Sequence, residues 1–271
     1  MKKIYKILGV ILVIGIVIWT VSFISLGGTF NAVYSIDDGQ FTLKELEFEA
    51  GESFSVTAGS GSVKLVKTDA EKIKVTYYES EENGISVRAT ENGIDTDLGF
   101  SKKQLFAWPR YYDSKYGAVT VEVPSGLKTL SAKVGSGTID VRGISCTTLN
   151  VTVSSGTVNL NSVQATTVNV EASSGAVNLN DINAQALVCE VSSGVANITS
   201  TVADTIRLGV RSGSVRAKIK AKRDDYSCSF TIGSGKGYLN GKDFSGTDGT
   251  AKVKTLTLTC KSGVAYVDFT E

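Results

Sequence analysis

The sequence contains no histidine, and it has only two prolines and four cysteines among its 271 residues. Histidine is the commonest general base and a frequent metal ligand, so its absence removes Ser-His-Asp and Cys-His catalytic arrangements and histidine-based zinc sites. Phosphate-binding loops, dinucleotide-binding fingerprints and CxxC pairs are missing as well. The sequence therefore predicts no catalytic residue, no metal site and no cofactor.

Charge of a dominant sign is also lacking. The chain has 28 lysines and arginines against 27 aspartates and glutamates, which gives a formal net charge of +1. Nucleic-acid-binding proteins usually carry a clear excess of positive charge. The balance therefore predicts no nucleic-acid partner.

A long apolar run is present, and it lies at the N-terminus. Three lysines within residues 1–6 precede an uncharged, mostly apolar segment from Ile7 to Leu26. A helix of about 20 residues spans the hydrocarbon core of a bilayer. By the positive-inside rule, the sequence predicts a cytoplasmic N-terminus (1–6), a transmembrane anchor (7–28) and an extracytoplasmic remainder that begins with a juxtamembrane segment (29–52). A signal peptide cleaved near Ser25-Leu26-Gly27 is the alternative.

Glycine is abundant, and part of it recurs at a fixed interval. A Ser-Gly pair returns every nineteen residues, at Gly137, Gly156, Gly175, Gly194 and Gly213. Weaker copies contain Gly61, Gly235 and Gly263. Fixed periods of this size are typical of proteins in which similar units stack on one another.

Apolar residues alternate with polar ones on both sides of each Ser-Gly corner. Around Gly156, Val151 and Val153 precede the corner, and Val158 and Leu160 follow it. Such alternation indicates strands with one buried face. We therefore predict an all-β fold, a flattened solenoid of 19-residue coils with two parallel sheets over residues 53–271.

The solenoid prediction has one interruption and one alternative. An insertion at about residues 67–117 interrupts the period, and a meander of antiparallel hairpins would show the same alternation. Asn159, Asn178 and Asn197, however, recur at one position of successive units. Stacked coils would place these three amides in a ladder, so the asparagines favour the solenoid.

The segments "VTVEVPSGLKTLSAKVGSGTIDV", "LNVTVSSGTVNL" and "VNVEASSGAVNL" resemble the bacterial "putative adhesin" family of β-strand repeats, domain-of-unknown-function family 4097. The resemblance covers about residues 45–271. It implies a right-handed β-helix-like domain at the bacterial surface, often tethered by a transmembrane segment and in some members linked to envelope stress. It implies no catalytic residues. Where relatives commonly carry an acidic residue after the corner, this chain mostly has asparagine, arginine or tyrosine, with Asp140 as the exception.

The insertion supplies the first candidate contact surface. Its segment "LFAWPRYYDSKYG" concentrates aromatic side chains that can bind sugar rings or a protein partner, namely Phe106, Trp108, Tyr111, Tyr112 and Tyr116. The alternative is that these aromatics cover the side or end of the solenoid core.

A basic stretch supplies the second candidate surface. The segment "RLGVRSGSVRAKIKAKR" places Arg207, Arg216 and Lys218 at outward positions of the predicted strands. These cations could bind teichoic acid or anionic lipid headgroups. A solvated face that resists aggregation is the alternative.

The four cysteines fall at different positions of the repeat, and Cys228 and Cys260 are offset by four residues along neighbouring strands. About 13 Å of strand separates such positions, which is too far for a disulfide, so we predict free, mostly buried thiols.

The function expected from all these features is a non-enzymatic, adhesin-like module of the cell envelope with an unidentified polymer or protein partner. Envelope-stress sensing is the first alternative. A polysaccharide-active enzyme is the second, and it is disfavoured because Asp140 and Glu171 lie on different strands.

Overall fold

The computed structural model describes residues 41–80, 86–97, 115–248 and 251–270. These residues belong to one compact unit, 41–101 with 114–271. The predicted anchor, 7–28, lies outside the described residues. Within the described ranges, no helix has both the length and the apolar character that a membrane span requires.

The described chain is built almost entirely of β-strands, and its one short helix is a 3-10 turn at Arg223–Asp225. The strands are β1 (Thr42–Glu49), β2 (Ser53–Thr68), β3 (Lys72–Glu79), β4 (Ser86–Thr90), β5 (Gly93–Asp97), β6 (Ala118–Pro124), β7 (Thr129–Arg142), β8 (Ser145–Ile219), β9 (Tyr226–Leu239), β10 (Lys242–Asp243), β11 (Gly246–Thr247) and β12 (Lys254–Phe269). The all-β prediction is confirmed. Strand β1 lies inside residues 29–52, the predicted juxtamembrane segment.

Successive coils pair in parallel at the predicted interval. Strand β7 pairs with the first coil of β8 so that Leu130 is opposite Leu149 and Gly137 is opposite Gly156, a spacing of nineteen residues. Hairpins would make antiparallel pairs instead. The central coils therefore stack as a solenoid, and the meander is excluded for them.

The inward positions predicted from the alternation are buried. Val151, Val153, Val158 and Leu160 are each at most 1% exposed, and the matching positions of the neighbouring coils are buried too. Between them, the side chains that point outward are polar and partly or fully exposed. The core therefore lies inside the coils and runs along the solenoid from one coil to the next.

Each coil turns at two corners that use left-handed backbone angles. At the first corner, φ lies between 132° and 144° at Gly137, Gly156, Gly175, Gly194 and Gly213. At the second corner, φ lies between 53° and 67° at Gly143, Ser162, Asp181 and Ser200. The first corner was predicted from the Ser-Gly repeat. The second was not, because only one of its four left-handed residues is a glycine.

The order of the strands in space departs from their order in the sequence at the beginning of the solenoid. Strand β2 lies between β6 on one side and β7 on the other. The strands of the insertion after β2 therefore form a layer on one side of β2, and the chain then returns to pair β7 with the other side of β2. In that layer, β5 and β6 stack on β2 in parallel, and β3 and β1 continue it as antiparallel strands.

A matching exchange occurs at the end of the solenoid. Strand β12 pairs in parallel with β8 on one side and with β9 on the other. Gly263 is therefore opposite both Gly213 and Gly235. The expectation that each unit stacks on the next along the chain is wrong here, because the C-terminal coil is inserted between the two coils that precede it.

Candidate functional site

The asparagine ladder predicted from the repeat is present on the outer face of the second half of each coil. Asn178 donates from Nδ2 to Oδ1 of Asn159 at 2.9 Å, and Asn197 donates to Oδ1 of Asn178 at 3.0 Å. A second pair on the first half of the coil, Asn169 to Asn150, repeats the contact at 2.9 Å. These amides bond mainly to one another, so the ladders stabilise the stack of coils.

Beyond Asn197, the same outward row changes from amides to a cation and two aromatic rings. The guanidinium of Arg216 lies 5.6 Å from the centre of the Tyr266 ring, and the Tyr266 and Tyr238 rings stack at 4.9 Å with an angle of 8° between their planes. The row joins three coils because β12 lies between β8 and β9. Arg216 was predicted as a contact residue, and the structure places its charge over an aromatic ring.

The two other predicted cations also have neighbours of opposite charge. Arg207 lies 3.5 Å from a carboxylate oxygen of Glu190 on the preceding coil. Lys218 is in register with Asp268 of β12. Arg216 and Lys218 therefore share one outward face, whereas Arg207 lies on the other half of its coil, where it forms an ion pair with Glu190.

Sequence reasoning missed a second group of cations, on the edge of the solenoid formed by the Ser-Gly corners. Arg211 and Lys261 occupy the same corner position on adjacent coils, since their neighbours Ser212 and Ser262 are paired. Lys236 follows the corner of the next coil, where it is in register with Val264. All three side chains are exposed. We call Arg211, Lys236 and Lys261 the basic corner.

The basic corner was missed for a topological reason. In the sequence, Lys261 is 50 residues from Arg211 and follows the coil that contains Lys236. The exchange of the last two coils brings Lys261 beside Arg211. The sequence shows that Arg211 and Lys261 each lie two residues before a corner glycine. It does not show that the last two coils exchange places in the stack.

Charge is distributed unevenly along the described chain. The described residues from 202 to 270 contain twelve lysines and arginines against six aspartates and glutamates, a net charge of +6. Those from 41 to 201 contain ten against fifteen, a net charge of −5. The near-neutral composition of the whole chain therefore conceals a basic end.

A cleft of about 480 Å³ lies beside Lys236. Its lining includes Gly233, Gly235 and Gly237, together with Asp243. Strand β9 forms this end of the solenoid, and on its outer side β11 covers only Ser229 and Phe230 while β10 covers only Tyr238 and Leu239. The stretch between these contacts is the floor of the cleft.

Of the aromatic candidates, Tyr116 lies within the described residues, whereas Phe106, Trp108, Tyr111 and Tyr112 lie outside them. Tyr116 is 3% exposed. Its ring stacks on Phe41 at 3.9 Å and meets the edge of Tyr78 at 4.9 Å. Tyr116 therefore packs as part of the core, and its assignment to an exposed contact surface is corrected.

The four thiols are free, as predicted. Burial raises the pKa of Cys146 and Cys228 to about 11, and burial together with the Glu190 carboxylate raises that of Cys189 to about 12. Burial also raises the pKa of Cys260. Because a nucleophilic or metal-binding cysteine has to be a thiolate, these thiols are suited to packing.

Acidic and thiol groups do not converge on the described surface. Asp140 accepts hydrogen bonds from Arg142 at 2.7 to 3.2 Å, and Glu171 lies on the other half of its coil. Among the residues that the structure describes, no cluster of three cysteine, aspartate or glutamate side chains could hold a metal ion.

The chain belongs to the Toastrack DUF4097 family, whose model matches residues 51–242. A solved structure similar to this chain is that of a "putative adhesin" from Bacteroides fragilis, with 16% identity, a TM-score of 0.49 and coverage of 84% of this chain and 97% of that one. Another is from Parabacteroides distasonis, with 13% identity, a TM-score of 0.46 and coverage of 84% and 98%. No curated protein matches the chain.

Proposed function

We propose that this protein is a non-enzymatic, adhesin-like interaction module of the bacterial cell envelope. The observation that carries the proposal is the combination of a stacked, hydrogen-bonded solenoid with a basic end of net charge +6. Continuous ladders make a β-solenoid a stiff support, and a charged end attracts oppositely charged partners over a distance of about 10 Å in 0.1 M salt. The partner in this proposal is an anionic component of the envelope.

The proposed location follows from the sequence of the N-terminal segment. Its lysines and the apolar run from Ile7 to Leu26 favour a retained anchor with the solenoid on the outer side of the membrane. Protease added to intact protoplasts should then remove the solenoid and leave the anchor. Full protection of the chain, or a mature protein that begins near Gly28, would contradict this topology.

Association with the envelope is tested by sedimentation. The full-length chain in a non-ionic detergent should sediment with purified cell-envelope fragments, and the bound fraction should fall as the salt concentration rises, because screening weakens contacts between exposed charges. Failure to sediment at low salt would contradict the envelope role. Binding that is unaffected by salt would contradict the charge-based contact.

A further inference from the structure

We propose that the basic corner and the adjoining glycine cleft form a binding site for the phosphate groups of a linear polyanion. The inference rests on the proposed envelope function and deepens it, since it names the site and the chemistry of the partner. It starts from the placement of Arg211, Lys236 and Lys261, which the exchange of the last two coils brings to one edge.

Arg211 and Lys261 are placed so that their charges repel each other. Adjacent strands lie about 4.8 Å apart, so Arg211 and Lys261 carry like charges on neighbouring backbones. Like charges placed directly opposite one another on a sheet destabilise it. In the other coils, this corner position holds serine or glycine, as at Ser154, Ser173 and Gly135. Two neighbouring cations therefore replace small neutral residues here at a cost to stability, and a bound anion would relieve that cost.

The basic corner lacks internal counterions among the described residues. The other cations of the basic end include several with acidic partners, such as Arg207 with Glu190 and Lys254 with Asp204, each pair at 3.5 Å. Among the described residues, no carboxylate lies within ion-pair distance of Arg211, Lys236 or Lys261. Their charge is thus available to an external anion.

The cleft beside Lys236 adds backbone hydrogen-bond donors to these cations. Gly233 and Gly235 are exposed and lack side chains that could cover the backbone of β9. From Thr231 to Gly237 that strand has no partner strand on its outer side among the described residues. Phe244 N–H donates to Gly237 O at 2.8 Å at the far end of this stretch. Unpaired backbone N–H groups at a sheet edge can donate hydrogen bonds to phosphate oxygens.

A linear polymer fits this arrangement better than a single ion. The three cations span three adjacent coils, or about 10 Å between the outer two strands. Successive charges of a phosphate polymer can occupy such a row, whereas one phosphate can reach only part of it. The carboxylate of Asp243 in the cleft lining repels an anion that enters the cleft deeply. The row of cations along the corner is therefore the main contact for the polymer.

The test uses long-chain inorganic polyphosphate and the full-length chain in a non-ionic detergent. We expect the triple variant Arg211→Gln, Lys236→Gln, Lys261→Gln to bind polyphosphate at least about tenfold more weakly, and the slope of log affinity against log salt to fall by about two to three. The control is Lys64→Gln, Lys67→Gln, Lys133→Gln, which removes the same charge from exposed positions outside the basic end. It should retain most of the affinity.

Thermal unfolding supplies a second readout. Without polyphosphate, the triple variant should melt at the same temperature as the wild type or higher, because repulsion between Arg211 and Lys261 is removed. Polyphosphate should raise the melting temperature of the wild type and have little effect on that of the variant. A lower melting temperature of the variant would contradict the claim that this corner stores repulsion.

Other outcomes would overturn the proposal. Equal loss of binding in both triple variants would mean that only net charge matters. Binding to phosphatidylglycerol vesicles without binding to polyphosphate would assign the surface to lipid headgroups. Wild-type protein that sediments with envelope fragments but ignores polyphosphate would overturn the phosphate site alone, whereas absence of sedimentation with retained polyphosphate binding would overturn the envelope role.

Discussion

At the scale of single residues, the corner glycines permit the coils to approach closely. A Cβ atom at Gly175 would lie 1.8 Å from the carbonyl oxygen of Gly156, and the other corner glycines from Gly137 to Gly263 show the same conflict. Flexible side chains can move aside, but a backbone oxygen held in a ladder cannot. The recurring glycine is therefore required by stacking as well as by its left-handed backbone.

We predict that Gly175→Ala strongly destabilises the protein, by about 3 kcal/mol or more, because the added methyl group forces two coils apart and the positive φ is retained. Gly59→Ala is the matched control, since a Cβ there meets no atom within 4 Å and the residue lies at the corner of another coil. Urea unfolding of both variants measures the difference. Similar midpoints for the two would contradict the role assigned to the close approach.

The second corner offers the opposite change. Ser200 has φ = 53°, a region that costs a non-glycine residue about 1 kcal/mol. We predict that Ser200→Gly stabilises the protein by up to about 1 kcal/mol and that Ser200→Val destabilises it, because a β-branched residue fits this region worst. The midpoints of thermal unfolding report both changes. A stabilising Ser200→Val would mean that the corner relaxes to another conformation.

At the scale of elements, a partly buried ion pair holds the connection between β9 and β12 against the residues that precede β9. Asp248 accepts hydrogen bonds from Arg223 at 2.5 Å and from the Cys228 N–H at 3.2 Å, and Arg223 also donates to Tyr226 O at 2.7 Å. Burial raises the pKa of the Asp248 carboxyl, but these hydrogen bonds and the charge of Arg223 outweigh burial and hold the pKa below its ordinary value.

A depressed carboxyl pKa contributes stability above the pKa of the unfolded chain, and that contribution is lost as the pH falls through the folded-state pKa. We therefore predict that the unfolding free energy of the wild type falls below about pH 4 partly through Asp248. Asp248→Asn should be less stable at pH 7 and should lose less stability between pH 5 and pH 3. Parallel curves of stability against pH for the two proteins would contradict this role.

The periodic elements could be predicted from the sequence, because each strand of the central coils repeats the same local pattern. Val151 and Val153 are buried where alternation places them, and Asn159, Asn178 and Asn197 form the expected ladder. The surface was predicted less well. Arg216 faces Tyr266 and Lys218 faces Asp268 through contacts that depend on which coil is next in space. The local sequence pattern is the same whether a coil stacks on the end of the coil before it or is inserted between two earlier coils.

At the scale of the whole molecule, the first and last repeat strands, β2 and β12, each lie between two other strands and not at the edge of the solenoid. Strand β12 makes ladder contacts on both sides, whereas β9 has β12 as its one long neighbour among the described strands. In a simple repeat protein, each unit contacts the units next to it in the sequence, so removing the last unit leaves the others intact. Here the last segment of the sequence is interior, and the attachment of β9 depends on it.

We predict that two deletions have opposite effects. A chain that ends at residue 250 lacks β12, so β9 loses its long ladder and should become disordered together with β10 and β11. A chain without residues 221–251 should keep β12 ordered, because this deletion restores the nineteen-residue interval between Thr205 and Thr255, which are paired. The variant without residues 221–251 also carries Ile219→Gly, since the other coils use a left-handed residue at this corner.

Hydrogen exchange measures the outcome of both deletions. Amides of Thr255–Cys260 should stay protected after the internal deletion, and those of Tyr226–Thr231 should exchange freely after the truncation. Persistent protection of β9 without β12 would mean that β9 can dock directly on β8, and the C-terminal coil would then not be what holds this end of the solenoid together.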